Sequence, residues 1–210
     1  MARLLYIEAS PRKDRSTSIE VAEAFLESYR ASHPADEVEV IDLWSTVLPA
    51  FDGDVINAKY AILMSKMHTD QQKLAWKPVE DIIAGFKAAD KYLISTPMWN
   101  FSIPYKLKHY IDLLVQPGYT FSYTPIEGYK GLVTGKPLMA IYARGGAYGA
   151  ETGAQGYDLQ TAYMNLILGF IGFTDIRQIL VEPMLMAEVN EKARIIAEAK
   201  RQAEIMAKGF

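Results

Sequence analysis

The sequence predicts an α/β fold in which a five-stranded parallel sheet is doubly wound, with helices on both faces. Short apolar runs typical of buried strands alternate along the 210 residues with segments whose apolar side chains recur every three or four positions. Such alternation favours parallel strands joined by right-handed crossover helices. No internal repeat or low-complexity linker divides the chain, so we expect a single domain over residues 1–210.

Five segments are predicted to be strands. The first is a short apolar run that ends at the polar loop SPR, as expected for a buried strand. In chain order they span residues 3–9, 37–43, 91–97, 137–143 and 176–182. Five parallel strands of this kind fit a flavodoxin-like sheet with the strand order 2-1-3-4-5.

Helices are predicted between these strands and after the last one. The first begins at Ser16 or Thr17, which are candidates for its N-cap, and continues to Tyr29. The remaining helical segments are the end of a helix at 79–90, a helix at 103–115, one at 158–173 that is closed by glycines, and a C-terminal segment from 189 to 206.

Composition and charge restrict the class of protein. The absence of cysteine excludes disulfides, thiolate metal sites and cysteine nucleophiles, and the three histidines, His33, His68 and His109, do not cluster, so no metal site is expected. The net charge of −3 carries no long run of one sign, which disfavours nucleic acid as a partner. No apolar run has the length of a membrane span and no signal peptide is recognisable. We expect a cytoplasmic protein whose partners are small molecules.

Three loops are expected to face one crevice, because ligands of doubly wound sheets bind beyond the carboxyl ends of the strands. The first loop carries hydroxyls at the start of a helix, where free backbone N–H groups and the helix dipole favour a phosphate. Taken alone, it also fits an N-cap beside a solvated basic loop. Neither G-x-G-x-x-G nor a P-loop is present. The hydroxyl-bearing residues are Ser10, Ser16, Thr17 and Ser18, with Arg12, Lys13 and Arg15 nearby.

The second loop follows the third strand and suits a flat, amphipathic ring. Pro97 ends the strand, and Met98 and Trp99 offer broad apolar area to an aromatic face. The amide of Asn100 both donates and accepts, as the rim of a heterocycle requires. The alternative is that Met98, Trp99 and Phe101 cap the hydrophobic core.

The third loop follows the fourth strand and contains Ala143, Arg144, Gly145 and Gly146. The two glycines allow the backbone to approach a ring rim closely, and Arg144 adds positive charge. A flexible turn without a ligand is the alternative. Together, a phosphate site, an aromatic platform and an amide-rich rim describe the shape of flavin mononucleotide (FMN).

With these motifs the chain resembles the FMN-dependent NADH-azoreductases, which are also NAD(P)H:quinone oxidoreductases. The resemblance covers nearly the whole chain and is carried by RLLYIEASPR, PMWNFSIPYKLKHYID, GLVTGK, RGG and LGFIGFTDI. It implies FMN as cofactor, NADH or NADPH as electron donor, and two-electron reduction of quinones and azo compounds. Ser10 and residues 16–18 would hold the phosphate, while 98–101 and 143–146 would line the ring. Family members often carry Ser where this chain has Ala143, which removes one hydroxyl contact.

The resemblance also implies a homodimer with two active sites at its interface. Partner-chain residues would border each site, with Phe121 and Tyr123 as candidates and Tyr148 nearer the same-chain wall. No catalytic acid or base is assigned, because the cofactor performs the chemistry. The role of residues 55–77 stays open, as does the preference between NADH and NADPH. Candidates for contact with a 2'-phosphate are Arg12, Lys59 and Lys130.

Two other functions remain open at this point. A flavodoxin-type electron carrier would use the same sheet and phosphate loop, although its docking surface is usually strongly acidic, whereas this chain is nearly balanced in charge. A flavin-free, NADPH-binding regulator would be colourless when purified. Reduction of bound flavin by NADH alone would distinguish the enzyme from the carrier.

Overall fold

The computed structural model describes residues 1–64, 66–67 and 69–210, and a five-stranded parallel sheet is its central element. Within this part of the chain the strands are β1 (Arg3–Glu8), β2 (Glu37–Asp42), β3 (Lys91–Pro97), β4 (Phe121–Thr124), β5 (Gly128–Gly131), β6 (Pro137–Ala143) and β7 (Asp175–Val181). The large sheet has the order β2-β1-β3-β6-β7, and β4 and β5 form a separate antiparallel hairpin.

The five-stranded parallel sheet is confirmed. When the strands are numbered as observed, however, its order is 2-1-3-6-7 and not 2-1-3-4-5. The predicted fourth and fifth strands are β6 and β7, because the hairpin β4–β5 adds two strands that were not predicted. Both hairpin strands have four residues, and β5 begins and ends with glycine. Segments this short carry too few positions for a period of two to be recognised.

Helices pack on both faces of the sheet. They are α1 (Thr17–Ser32), α2 (Gly53–Leu63), α3 (Asp70–Ala88), α4 (Tyr105–Leu114), α5 (Leu159–Ile171) and α6 (Val189–Lys208). Alternate residues of β1 separate the two layers. Leu5 and Ile7 belong to the core beneath α3, α4 and α5, whereas Leu4 and Tyr6 belong to the core beneath α1 and α6. The central strands β1, β3 and β6 are therefore buried on both faces.

The stretch between β2 and β3 contains one helix that was not predicted, α2. The segment 79–90 was expected to be the end of a helix, and this helix, α3, begins at Asp70 and contains Pro78 in its interior. Thr69 caps α3 reciprocally with Gln72, and Trp76 on its second turn is almost fully buried. Burial on both sides of Pro78 outweighs the backbone hydrogen bond that proline removes.

The histidines have local contacts in the described part of the chain. His33 stacks on Tyr29 with ring centroids 4.5 Å apart, and a ring nitrogen of His109 lies 2.9 Å from the carbonyl oxygen of Pro49. His68 falls outside the described residues. Among the described residues, no three His, Asp or Glu side chains are placed to hold a metal, and no helix there is both long and apolar enough to cross a membrane.

Asp36 ties the N-terminal segment to the sheet at the edge opposite the carboxyl ends. Its carboxylate accepts hydrogen bonds from the backbone N–H of Ala2 at 2.6 Å, the hydroxyl of Tyr29 at 2.7 Å and the ammonium of Lys91 at 3.3 Å. The Ala2 bond and then the Tyr29 bond are the main causes that lower the pKa of Asp36 to about 2. The folded protein is thereby stabilised at pH values above the pKa that Asp36 has in the unfolded chain. It loses this stabilisation as the pH falls towards 2.

Replacing Asp36 with asparagine is expected to lower the free energy of unfolding by about 1–2 kcal/mol at pH 7. The difference from wild type should shrink between about pH 4 and pH 2, where Asp36 becomes protonated in both states. Urea unfolding followed by circular dichroism at several pH values measures it. Asp81→Asn is the matched control, because the Asp81–Lys77 pair is solvent-exposed. If the free energies of unfolding of wild type and Asp36→Asn differed by the same amount at every pH, the lowered pKa of Asp36 in the folded protein would be contradicted.

Candidate functional site

One groove at the carboxyl edge of the sheet joins two clefts. The serine cleft is lined by Ser10, Ser16 and Thr17 from the loop after β1, by Pro97, Met98 and Trp99 after β3, and by Ala143, Arg144 and Gly145 after β6. The aromatic cleft is lined by residues that include Met98, Asn100, Phe101, Gly145, Gly146 and Tyr148. Met98, Gly145 and Leu185 line both clefts, which makes the groove continuous.

The three loops expected to meet therefore do so in the structure, where Ser16, Trp99 and Gly145 line the same cleft. Of the hydroxyl residues, Ser18 lines neither cleft. It is fully buried behind Ser16, with the two hydroxyl oxygens 3.2 Å apart. Its contribution to a ligand would come through its backbone N–H or through Ser16.

The start of α1 opens into the serine cleft without a side-chain cap. Ser16 occupies the N-cap position, yet its hydroxyl does not bond to a backbone N–H of the first turn. Such N–H groups have no acceptor within the helix and require one from outside it. Ser10 and Ser16 are both buried, so two hydroxyls and the uncapped end of a helix converge. This arrangement suits an anion.

The charges around the serine cleft are unbalanced. No aspartate or glutamate lines it, whereas Arg12 and Arg15 do and form no ion pair with any described residue. Lys13, by contrast, pairs with Glu8 and Asp42. Burial of Asp42 acts to raise its pKa, but hydrogen bonds from Lys13 and Ser45 outweigh burial and lower the pKa. Lys13 thus anchors the loop and leaves the excess positive charge to the arginines.

A cluster of three rings fixes Trp99 at the rim. The centroid of Trp99 lies 5.7 Å from that of Trp44 and 6.3 Å from that of Tyr105. Trp44 in turn donates its indole N–H to the carbonyl of Ala9 at 3.1 Å. Loops after β1, β2 and β3 are thereby joined, and Trp99 stays partly exposed as an aromatic surface.

The turn after β3 has an unusual backbone. Asn100 and Phe101 have φ of 47° and 69°, in the left-handed region that residues with a Cβ rarely adopt. Reciprocal backbone hydrogen bonds of 3.0 and 2.9 Å between Trp99 and Ser102 close the turn, and Met98 N–H donates to the carbonyl of Ala143 at 2.9 Å. Backbone strain of this kind concentrates at binding and catalytic sites.

Aromatic rings surround Phe101 in the aromatic cleft. Its ring stacks on Tyr157 at 5.1 Å and meets the edge of Tyr148 at 6.3 Å. Tyr148 lies on the same-chain wall, where the sequence placed it. The cleft therefore offers apolar, flat surfaces to a planar ligand.

Arg144 is buried behind the groove and joins the loops that form it. Its guanidinium donates to Gln160 Oε1 at 3.0 Å, to Glu182 at 3.2 Å, to Asp158 at 3.1 Å and to the hydroxyl of Thr161. Gln160 then donates to the carbonyl of Pro97 at 2.9 Å. The positive charge expected near the ring is therefore balanced inside the protein, and Arg144 holds the loops after β3 and β6 together.

The segment after β7 forms a wall of the groove that sequence reasoning missed. The N–H groups of Met184 and Leu185 donate to the carbonyls of Arg144 and Gly145 at 2.8 and 2.9 Å. A Cβ on Gly145 would lie 2.7 Å from Leu185 Cδ1, so the glycine permits this close approach. No motif marks the segment, but the rule that led to the other three loops applies equally to the carboxyl end of β7.

The remaining sequence candidates lie away from the groove. Phe121 packs against Phe170 at 4.8 Å and Tyr123 against Tyr129 at 4.9 Å, and neither Phe121 nor Tyr123 lines either cleft of its own chain. Lys59 lies over the ring of Phe51, and Lys130 is exposed on β5. Of the residues considered for a 2'-phosphate, Arg12 is the one in the groove.

Comparisons with known proteins find relatives along the whole chain. Residues 2–205 match the model of a family described as having a flavodoxin-like fold. The chain is 49% identical over 210 residues, all of both proteins, to an FMN-dependent NADH:quinone oxidoreductase of Nitratidesulfovibrio vulgaris (strain DP4). The crystal structure of an azoreductase from Bacillus anthracis str. Sterne superposes with a TM-score of 0.90 at 31% identity, covering 100% of both chains. A structure of an FMN-dependent NADH-azoreductase from Bacillus anthracis str. Ames Ancestor in complex with FMN gives a TM-score of 0.86 at 29% identity, covering 99% of this chain and 100% of that one.

Proposed function

The chain belongs to the family with the flavodoxin-like fold, and from this premise we propose that it is an FMN-dependent oxidoreductase that uses NADH or NADPH to reduce quinones and azo compounds. The observation that carries the proposal is the single groove in which an uncapped helix start, the Trp99 ring and the Gly145 loop meet. Relatives named as oxidoreductases favour an enzyme over an electron carrier.

The donor set of the groove fits FMN. The serine cleft offers buried hydroxyls, free helix N–H groups and positive charge without a carboxylate, as a phosphate dianion requires. Met98 and Trp99 offer the flat apolar area for the ring, and the backbone of Gly145 and Gly146 can approach its rim. We propose that the cofactor is held by Ser10, Ser16, Thr17, Ser18, Pro97, Met98, Trp99, Asn100, Phe101, Ala143, Arg144, Gly145 and Gly146, with Arg144 acting through its main chain.

When bound, the cofactor would supply the two-electron redox chemistry between NAD(P)H and a quinone or azo compound. The protein binds and orients the reactants. The Trp44–Trp99–Tyr105 cluster and the Arg144 network hold the loops after β3 and β6 in fixed positions. The rings of Phe101 and Tyr148 give a planar acceptor an apolar surface. No side chain is assigned as an acid or base.

A homodimer with shared active sites is part of the proposal. The hairpin β4–β5 supports it, because Tyr123, Ile126 and Tyr129 there are largely exposed, and such aromatic surface is typical of interfaces. These residues would border the groove of the partner. We also propose a single domain over residues 1–210 and a cytoplasmic location.

Anaerobic titration of the purified protein tests the function. We expect a yellow protein whose flavin absorbance is bleached by NADH or NADPH alone and recovers when menadione is added. Bound flavin that neither nucleotide reduces would favour an electron carrier instead. A colourless protein that does not bind added FMN would refute the proposal altogether.

A further inference from the structure

We propose that Lys192, in the first turn of α6, is a further phosphate-binding residue of the groove and sets the preference for a phosphorylated flavin. The inference rests on the proposed function, because it concerns the same groove. No sequence motif pointed to this residue, and it lies far along the chain from the serines that it would assist.

The packing of α6 on α1 places Lys192 beside the serine cleft. The hydroxyl of Ser28 donates to the carbonyl of Glu204 at 2.9 Å, and Lys200 pairs with Glu20 at 2.7 Å, so the two helices run side by side in the same direction. Both helices rise by about 1.5 Å per residue. Ser16 lies 12 residues before Ser28 and four residues before Glu20. Counting the same numbers of residues back from Glu204 and Lys200 places Ser16 level with residues 192 to 196 of α6. Lys192 and Ile196, one turn apart, do line the serine cleft.

The charge of Lys192 has no partner in the described part of the chain. Of the lysines near the groove, Lys13 is neutralised by Glu8 and Asp42 and Lys200 by Glu20. Arg12 and Arg15 line the cleft without an ion pair to a described residue, but both are exposed. Lys192 is half-buried and makes no ion pair there, and no carboxylate lines the cleft. Because it also lies in the first turn of α6, where the helix dipole disfavours a cation, an anion in the cleft would relieve an unfavourable position.

A phosphate is the anion that this environment would take. Buried hydroxyls of Ser10 and Ser16 and the uncapped N–H groups of α1 supply short-range donors, and the ammonium of Lys192 supplies a compact charge. Lys192 lines the serine cleft but not the aromatic cleft. It should therefore act on the phosphate of the ligand and leave contacts with the ring unchanged.

Titration of the apoprotein with FMN and with riboflavin, followed by flavin fluorescence, tests the inference. For Lys192→Gln we expect the Kd for FMN to rise about tenfold and the Kd for riboflavin to stay within about twofold. Lys192→Arg should bind FMN nearly as wild type does, and Lys192→Glu more weakly than the glutamine variant. Lys208→Gln, at the far end of the same helix, should have no effect. High salt should reduce the difference in the Kd for FMN between wild type and Lys192→Gln, because salt screens the charge of Lys192.

Unchanged FMN affinity in Lys192→Gln would overturn the inference while leaving the proposed function intact. Equal losses for FMN and riboflavin would also overturn it, because they would indicate a packing defect and not a lost phosphate contact. Failure of the wild-type apoprotein to bind FMN would instead refute the proposed function. Far-UV circular dichroism of each variant shows that the compared proteins are folded.

Discussion

Replacing Arg144 with methionine is expected to lower the free energy of unfolding by about 3–5 kcal/mol. The side chains of Asp158 and Glu182 are only 15% and 13% exposed, and the variant would leave both as buried carboxylates without a cation. Gln160 would lose the partner of its Oε1, which weakens its hold on the carbonyl of Pro97. Equilibrium urea unfolding followed by circular dichroism measures the change.

Arg177→Met is the matched control for this substitution. Arg177 pairs with Asp175 on the surface, with 36% and 48% of the side chains exposed, and its loss should change stability by less than about 1 kcal/mol. Adding Asp158→Asn and Glu182→Gln to Arg144→Met should recover part of the loss, since no buried charge then lacks a partner. A loss below about 1 kcal/mol for Arg144→Met alone would contradict the proposed role of the network.

An alanine at Gly131 should destabilise the protein by about 3 kcal/mol or more. Its Cβ would lie 2.3 Å from the backbone nitrogen of Gly172 and 2.5 Å from the carbonyl carbon of Ile171. These are backbone atoms at the end of α5, which cannot swing away as a flexible side chain does. The end of α5 is also held by the backbone N–H of Val133, which donates to the carbonyl of Ile171 at 2.8 Å, so this segment cannot move away without losing a hydrogen bond.

Gly85→Ala provides the comparison for Gly131→Ala. Gly85 lies inside α3, and a Cβ there would meet nothing within 4 Å. Alanine favours a helix interior over glycine, so this variant should gain up to about 1 kcal/mol. Thermal and urea unfolding of both variants shows whether each substitution raises or lowers the free energy of unfolding. If Gly131→Ala proved as stable as wild type, the close contact between β5 and α5 would not exist as described.

The sheet was predictable because its central strands β1, β3 and β6 are short, mainly apolar segments with buried interiors. The hairpin β4–β5 was not, since its strands are short and the contacts of Phe121 and Tyr129 with Phe170 of α5 depend on tertiary structure. For α3 the sequence predicted only the end of the helix, at 79–90, and left its start open. Pro78 is a strong local signal against a helix, and only the burial of Trp76 and the cap at Thr69 reveal that the helix continues through it.

For the site, local motifs led to three loops but not to what surrounds them. The meeting of Ser16, Trp99 and Gly145 followed from the rule for the carboxyl edge. The neutralisation of the Arg144 charge could not be predicted, because Asp158 and Glu182 approach it only in the folded chain. Leu185 and Lys192 enter the groove from the segment after β7, where nothing in the sequence distinguishes them from surface residues.

The ring cluster at the rim also bears on how the molecule can be observed. Two of the three tryptophans, Trp44 and Trp99, lie at the edge where ligands are proposed to bind, while Trp76 is buried and donates its indole N–H to the hydroxyl of Tyr119. Much of the ultraviolet emission of the folded chain should therefore originate beside the groove. Occupancy can then be followed from intrinsic fluorescence, without attaching a dye.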